Sequence, residues 1–307
     1  MKCETMNEKI NDKNNIIKCE TCLNDSSTSK IINHDNKNIC IECYYSLKYP
    51  RDFNKMKEEI IKLLKKEPTE EEKDKNNIKN KNKRYPCILA FSGGKDSVVA
   101  LYLLVKDLRI RPLCITVDNK YMSNEALINC YNITRYLNVD WMVINRDFTK
   151  LFEETILKGE SPCRECSNKI MGELRGVAKS LNIDKIVSGH ELPFGTSAFK
   201  PLKNNITLIR LLAGYNLTEK DRMKILEELP WKNPNLGGYT TNCLVLAPAL
   251  KEFYKTHNFN FEFNRICAMV RYGLMTEEEA TNSLKCPEVP DEVYEELKKR
   301  GLNLRGD

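Results

Sequence analysis

Between residues 85 and 190 the chain alternates short apolar runs with segments of helical periodicity. Cys87-Ile88-Leu89-Ala90-Phe91 is continuously apolar and predicts a buried strand, and Val98-Val99-Ala100-Leu101-Tyr102-Leu103-Leu104 predicts the helix that follows it. Cys114-Ile115-Thr116-Val117-Asp118, Trp141-Met142-Val143-Ile144 and Ile186-Val187-Ser188 read as three further strands. The stretches 124–137 and 168–181 read as helices, the second with Ile170, Leu174, Val177, Ala178 and Leu181 at three-and-four spacing. Strands alternating with helices predict an α/β fold, a parallel sheet with helices on both faces. Ligands of such sheets bind beyond the carboxyl ends of the strands. The segments after the strands, Ser92 to Ser97, Asp118-Asn119 and Gly189-His190, are therefore expected to converge on one rim.

The flanks read differently. Phe53, Met56, Ile60, Leu63 and Leu64 give residues 52–66 one apolar helical face, which Pro68 ends. From Thr69 to Arg84 only Ile78 is apolar, and charge passes from Glu70-Glu71-Glu72 to Lys75, Lys79, Lys81 and Lys83, the composition of a tether. Beyond Gly214 the pattern is helical: Thr218 to Leu229, Arg265 to Val270, Thr276 to Ala280 with Glu279 at capping-box spacing, and Asp291 to Arg300. The expected organisation is a ribbon module over 1–50, a helix and charged linker over 51–84, the α/β domain over 85–215 and a helical C-terminal region over 216–307. No apolar run approaches the ~20 residues that span a bilayer, so a cytoplasmic protein with no membrane association is expected. The net charge of +6, from 49 basic and 43 acidic residues, permits a nucleic-acid partner without demanding one.

Thirteen cysteines without a secretory signal favour metal ligands or buried thiols over disulfides. Cys19-x-x-Cys22 and Cys40-x-x-Cys43 are 17 residues apart, the spacing of a four-thiolate zinc ribbon. Turn residues at Asn24-Asp25-Ser26-Ser27 and Asn33-His34-Asp35-Asn36 allow the segment between to double back, with His34 a solvated turn residue. A second pair, Cys163-x-x-Cys166, opens the helical stretch that leads to Leu181. There the helix dipole and Arg164 are expected to lower a thiol's pKa, which serves a nucleophile, a metal ligand or a redox pair equally. Cys243 follows the turn-rich Gly237-Gly238-Tyr239-Thr240-Thr241-Asn242. Three thiolates suit an iron–sulfur cluster with one iron lacking a protein ligand.

Ser92-Gly93-Gly94-Lys95-Asp96-Ser97 stands between strand and helix, where two glycines and free N–H groups favour a phosphate. Only three residues separate Gly93 from Ser97, so this is not the phosphate loop of kinases and GTPases. The segment resembles the S-G-G-x-D-S loop of the PP-loop ATP pyrophosphatases. That resemblance implies ATP binding by Ser92 to Ser97, with Asp118 and Gly189 on the same rim, and an adenylated intermediate formed with loss of pyrophosphate. Lys95 and the loop amides would stabilise the phosphate charge. Asp96 would orient the loop, hold Mg²⁺ through water or cap the helix. His190 would contact the α-phosphate or the acceptor, or be a core histidine.

Two groups within that superfamily are similar to this chain. The archaeal and thermophile tRNA 2-thiouridine synthetases join a zinc ribbon to the same loop, a C-x-x-C before a core helix and one distant cysteine. This resemblance implies a [4Fe–4S] cluster on Cys163, Cys166 and Cys243, Zn²⁺ on Cys19, Cys22, Cys40 and Cys43, catalysis involving Lys95, Asp96, His190, Cys163 and Cys243, and tRNA as acceptor. The N-acetyl sugar amidotransferases share the ribbon, the helix and the loop, and imply delivery of ammonia instead. A sulfur donor or an ammonia-producing partner protein, and a homodimer, are compatible with these resemblances. A non-catalytic nucleotide-binding ribbon protein is the third reading. The chain departs from the thiouridine group at Gly189-His190-Glu191-Leu192-Pro193-Phe194, which lacks an acidic pair, and in having only Cys267 and Cys286 near its C-terminus.

Overall fold

The computed structural model describes residues 16–65, 84–233 and 242–304. The linker lysines Lys79, Lys81 and Lys83 and the turn from Gly237 to Thr241 lie outside the described residues. The chain divides into two compact units, Met1–Pro50 and Arg51–Asp307.

In the first unit β1 (Ile31–His34) and β2 (Lys37–Cys40) form an antiparallel hairpin. Its two-residue turn is Asp35-Asn36, with φ of 49° and 61°, a left-handed pair that Asp and Asn tolerate and that matches the twist of the strands. Helix α1 (Ile41–Lys48) follows directly. Among the described residues of this unit Ile39 and the four cysteines of the two knuckles are buried, and little other apolar surface is.

The second unit opens with α2 (Phe53–Lys65), which buries Met56, Ile60 and Leu64. Six strands form one sheet: β3 (Ile88–Ala90), β4 (Leu113–Asp118), β5 (Trp141–Asn145), β6 (Lys185–Ser188), β7 (Phe199–Pro201) and β8 (Thr207–Arg210), in the order β5-β4-β3-β6-β8-β7. All neighbours are parallel except β7, which runs antiparallel to β8. The helices among and beyond the strands are α3 (Lys95–Tyr102), α4 (Asn124–Tyr136), α5 (Thr149–Leu157), α6 (Cys163–Ser180), α7 (Glu219–Glu227), α8 (Leu246–His257), α9 (Phe263–Arg271), α10 (Glu277–Ser283) and α11 (Asp291–Lys299).

Alternation along the strands divides the core. Leu89, Cys114, Val187 and Ile209 pack with α2, α3 and α4 on one face, while Ile88, Ile115, Val117 and Ile186 pack with Leu174 and Ala178 of α6 on the other. The expected α/β sheet covered on both faces is therefore present. Strands β7 and β8 and helices α5 and α8 were not expected. Pro201 disguises β7 and is tolerated because that strand is an edge, and Pro248 disguises the first turn of α8. Helix α6 also begins earlier than residue 168, so both Cys163 and Cys166 lie in its first turns.

The chain runs outward from β3 to β4 and β5 and then crosses back to β6. That reversal leaves a crevice beyond β3 and β6, where the segments after the two strands meet.

Candidate functional site

The four cysteines of the first unit converge. Their Sγ atoms all lie within 4.8 Å of one another, the group among the described residues suited to hold a metal ion. Cys19 is 3.8 Å from Cys22 and 3.7 Å from Cys43, and Cys22 is 3.7 Å from Cys40 and 3.5 Å from Cys43. A tetrahedral site with metal–sulfur bonds of about 2.3 Å has edges of about 3.8 Å, so the sulfurs are already spaced for one. The backbone N–H groups of Thr21 and Cys40 point at Cys19 Sγ at 3.4 and 3.3 Å, and Asn24 Nδ2 donates to Cys40 Sγ at 3.4 Å. Such donors orient thiolate ligands and offset their charge. His34 stays in the hairpin turn beside Asp35 and the edge of Tyr44, outside the group.

The glycine loop is shaped by close approaches. Gly93 has φ of +69°, and a Cβ there would lie 2.1 Å from the backbone oxygen of Ala126. A Cβ on Gly189 would lie 2.6 Å from the backbone oxygen of Asp96, so the turns after β3 and β6 touch. Gly94 caps α3 with extended backbone, and Lys95 and Asp96 occupy its first turn. Ser97 donates to Gly94 O at 2.9 Å and accepts from the backbone N–H of Ser92 at 3.3 Å, closing the loop. Trp231 Nε1 donates to Gly93 O at 3.0 Å.

Beyond the loop opens a cavity of about 1250 Å³. Ser92, Gly94, Lys95, Asp96, Ser97, Gly189 and His190 line it, as the sequence leads one to expect. Asp118 is not among the lining residues; its carboxylate accepts the backbone N–H of Lys120 at 2.9 Å and holds the turn after β4. The opposite wall comes from α9, α10 and residues 285–288 of the C-terminal region.

Sequence reasoning missed an ion network on this wall. Arg222 of α7 is buried and bonds Glu191, and it lies 3.4 Å from Asp96 and 3.3 Å from Glu219. Arg265 of α9 bonds Glu191 at 3.1 Å and Glu262 at 2.6 Å. Glu191, noted in the sequence only for the acidic pair it does not form, is thus the hub between two arginines. The spacing of Glu219 and Arg222 on one helical face was the available signal, but their partners Lys95 and Asp96 are more than a hundred residues away.

Burial, followed by the charge of Glu191, pushes the carboxyl of Asp96 up to about 6. A raised carboxyl favours folding while it is protonated, and that contribution is lost as pH rises from the unfolded value of about 3.8 through 6. Asp96→Asn should therefore melt a few degrees above wild type at pH 7.5, about 1 kcal/mol after screening of a carboxylate that is 38% exposed. The difference should shrink by pH 5, which melting curves at the two pH values check. His190 shifts the other way: burial, then the nearby Arg210, lowers it to about 4, and its Nδ1 lies 3.0 Å from Ser188 Oγ. At neutral pH it is a hydrogen-bonding group and not a cation.

The second set of cysteines lies beside the same cavity. Cys243 pairs with Met122, Ser123 N–H donates to Asn242 O at 3.2 Å, and Asn119 Nδ2 lies 3.6 Å from Cys166 Sγ. Cys163, Cys166 and Cys243 are close enough that the charge of Cys243 raises the pKa of the other two. Ser167, Ile170 and Asn242, their neighbours, line the cavity. The sequence-based expectation of lowered thiol pKa values is not met. Burial is the first cause at all three, raising Cys166 to about 12 and Cys163 and Cys243 as well, and it outweighs the helix dipole. Desolvated and mutually repelling, these three thiols would ionise only beside a compensating cation.

No family model matches the chain. It is 50% identical over 288 residues to the uncharacterized protein MJ1599 of Methanocaldococcus jannaschii, covering 94% of this chain and 100% of that one. A tRNA-cytidine(32) 2-sulfurtransferase of Shewanella sediminis is 30% identical over 120 residues, 37% of each chain, so the likeness spans little more than a third of that enzyme. Among solved structures, the U34-tRNA thiolase NcsA from Methanococcus maripaludis, with its [4Fe–4S] cluster, aligns with a TM-score of 0.39 and 18% identity over 93% of this chain and 97% of that one. The glycine loop at the carboxyl end of β3 in a parallel sheet, the sulfurtransferase match and the end-to-end likeness to MJ1599 carry one conclusion: the chain belongs to the family of MJ1599, within the PP-loop ATP pyrophosphatase superfamily.

Proposed function

We propose that the protein is an ATP-dependent sulfurtransferase that activates a carbonyl, in the first instance of a tRNA base, and replaces its oxygen with sulfur. The observation that carries this reading is the cavity that runs from the glycine loop to Ser167 and Asn242, the chain neighbours of Cys166 and Cys243, with the three cysteines just behind its lining. The sulfurtransferase relative supports the class of reaction.

In the first step the carbonyl oxygen attacks the α-phosphorus of ATP, the bond from that phosphorus to the bridging oxygen breaks, and pyrophosphate leaves. Residues Ser92 to Ser97 and Lys95 Nζ stabilise the charge that gathers on the phosphate oxygens, and the close packing of Gly189 keeps the loop rigid while they do so. Neutral His190 offers a hydrogen bond at the cavity wall, and Mg²⁺ accompanies the nucleotide as part of the substrate. In the second step a sulfur nucleophile adds to the activated carbon and AMP departs with the original oxygen. A [4Fe–4S] cluster on Cys163, Cys166 and Cys243 would leave one iron free of protein ligands to present that sulfur. The ribbon thiolates take Zn²⁺ in a structural role, and a separate donor protein supplies the sulfur.

Metal analysis of anaerobically purified protein tests the reading. Wild type should be brown and contain about four iron atoms per chain, and Cys243→Ser should lose most of that iron while keeping its zinc. A colourless, zinc-only wild type that releases pyrophosphate in the presence of an amino-sugar acceptor and ammonia would favour the amidotransferase reading instead.

A further inference from the structure

The cation of the glycine loop has a carboxylate partner within the protein. Lys95 Nζ lies 2.7 Å from both carboxylate oxygens of Glu219. Glu219 is the first residue of α7, and the start of that helix is fixed by a capping box between Thr218 and Asp221. One turn on, buried Arg222 ties α7 to Asp96 and Glu191, and after the helix Trp231 ties the same segment to Gly93 O. The segment that begins with Glu219 is therefore anchored to the loop at Asp96 and Gly93, on either side of Lys95, and Glu219 is delivered to Lys95 rather than meeting it by chance. The pair is open to solvent, with Lys95 32% and Glu219 41% exposed, and both side chains line the cavity. An anion entering the loop thus competes with this carboxylate for the ammonium.

We infer that Glu219 is a resident counter-ion for Lys95, which the arriving phosphates displace and which reclaims Lys95 as pyrophosphate leaves. It is a positioning residue: it acts through Lys95 and sets how tightly the loop retains its product. The inference rests on the reading of the loop as a pyrophosphate site.

The test is calorimetric titration of the full-length protein with inorganic pyrophosphate, with and without Mg²⁺, beside product-inhibition kinetics. E219Q keeps the shape of the side chain and removes its charge. It should bind pyrophosphate about fivefold more tightly under both conditions, the equivalent of one partly exposed ion pair. Pyrophosphate should become a correspondingly stronger inhibitor, with kcat and the KM for ATP falling together. E219D, which restores the charge, should return binding towards wild type, a rescue that a purely structural role would not predict. Unchanged or weaker binding by E219Q would overturn the inference, and so would weakening confined to Mg²⁺, which would assign Glu219 to the metal. Should wild type and K95A alike fail to bind pyrophosphate, the loop reading itself falls and takes the inference with it.

Discussion

Stripping the metal from the ribbon, or replacing Cys40 with serine, should unfold residues 16–50 while leaving the second unit's melting transition in place. Among the described residues of the first unit there is almost no core: apart from the four cysteines, Ile39 is the buried apolar residue. A module that small rarely folds on apolar burial alone. Four sulfurs spaced by 3.5 to 3.8 Å cannot stay ionised so close together without a cation between them. Structural zinc binding is worth about 10–16 kcal/mol at neutral pH, more than the whole stability of such a unit. Amide exchange should show loss of protection at Ile32 and Ile39 of the hairpin, with metal content falling from one zinc per chain to none. Retained protection in Cys40→Ser would show that the hairpin folds without its metal.

Gly93→Ala should nearly abolish pyrophosphate and ATP binding and destabilise the second unit by more than about 3 kcal/mol. Two penalties add. The residue sits at φ of +69°, where a side chain costs roughly 1–2 kcal/mol, and its Cβ would stand 2.1 Å from the backbone oxygen of Ala126, which cannot rotate away. Either the loop moves off α4, carrying its N–H groups out of register with the phosphates, or α4 moves off the sheet. Gly172→Ala supplies the contrast. That glycine is helical, with nothing within 4 Å of an added Cβ, so the change should stabilise by about 0.5–1 kcal/mol and leave binding unaltered. Equal effects at the two positions would mean that the loop tolerates a side chain and is not the rigid cradle described above.

What could be read from the chain was what local chemistry dictates. The knuckle spacing, the glycine loop, the capping box at Thr276 and strands β3 to β6 depend on residues a few positions apart, and each was legible for that reason. Hidden were features decided at long range. Phe199–Pro201 became a strand because β8 offered it an edge, although Pro201 argues against one. Lys95 and Glu219 are 124 residues apart, and no pattern in the chain joins them. The thiols of α6 were judged by their helix and Arg164, which argue for acidity, but burial, followed by the charge of Cys243, decided the opposite. Local reasoning brought the glycine loop and Gly189-His190 to one cavity and could not supply the counter-charges there.

The two margins of the sheet are unequal. At one end β7 runs against its neighbours and closes on Pro201, which has no N–H to offer, with Lys200 turned to solvent. At the other, β5 is a regular strand whose Met142 and Val143 are more than a third exposed. The margin at β7 thus carries features that discourage pairing with a further strand, and the margin at Trp141–Asn145 does not, so the two ends of the ladder are guarded unequally.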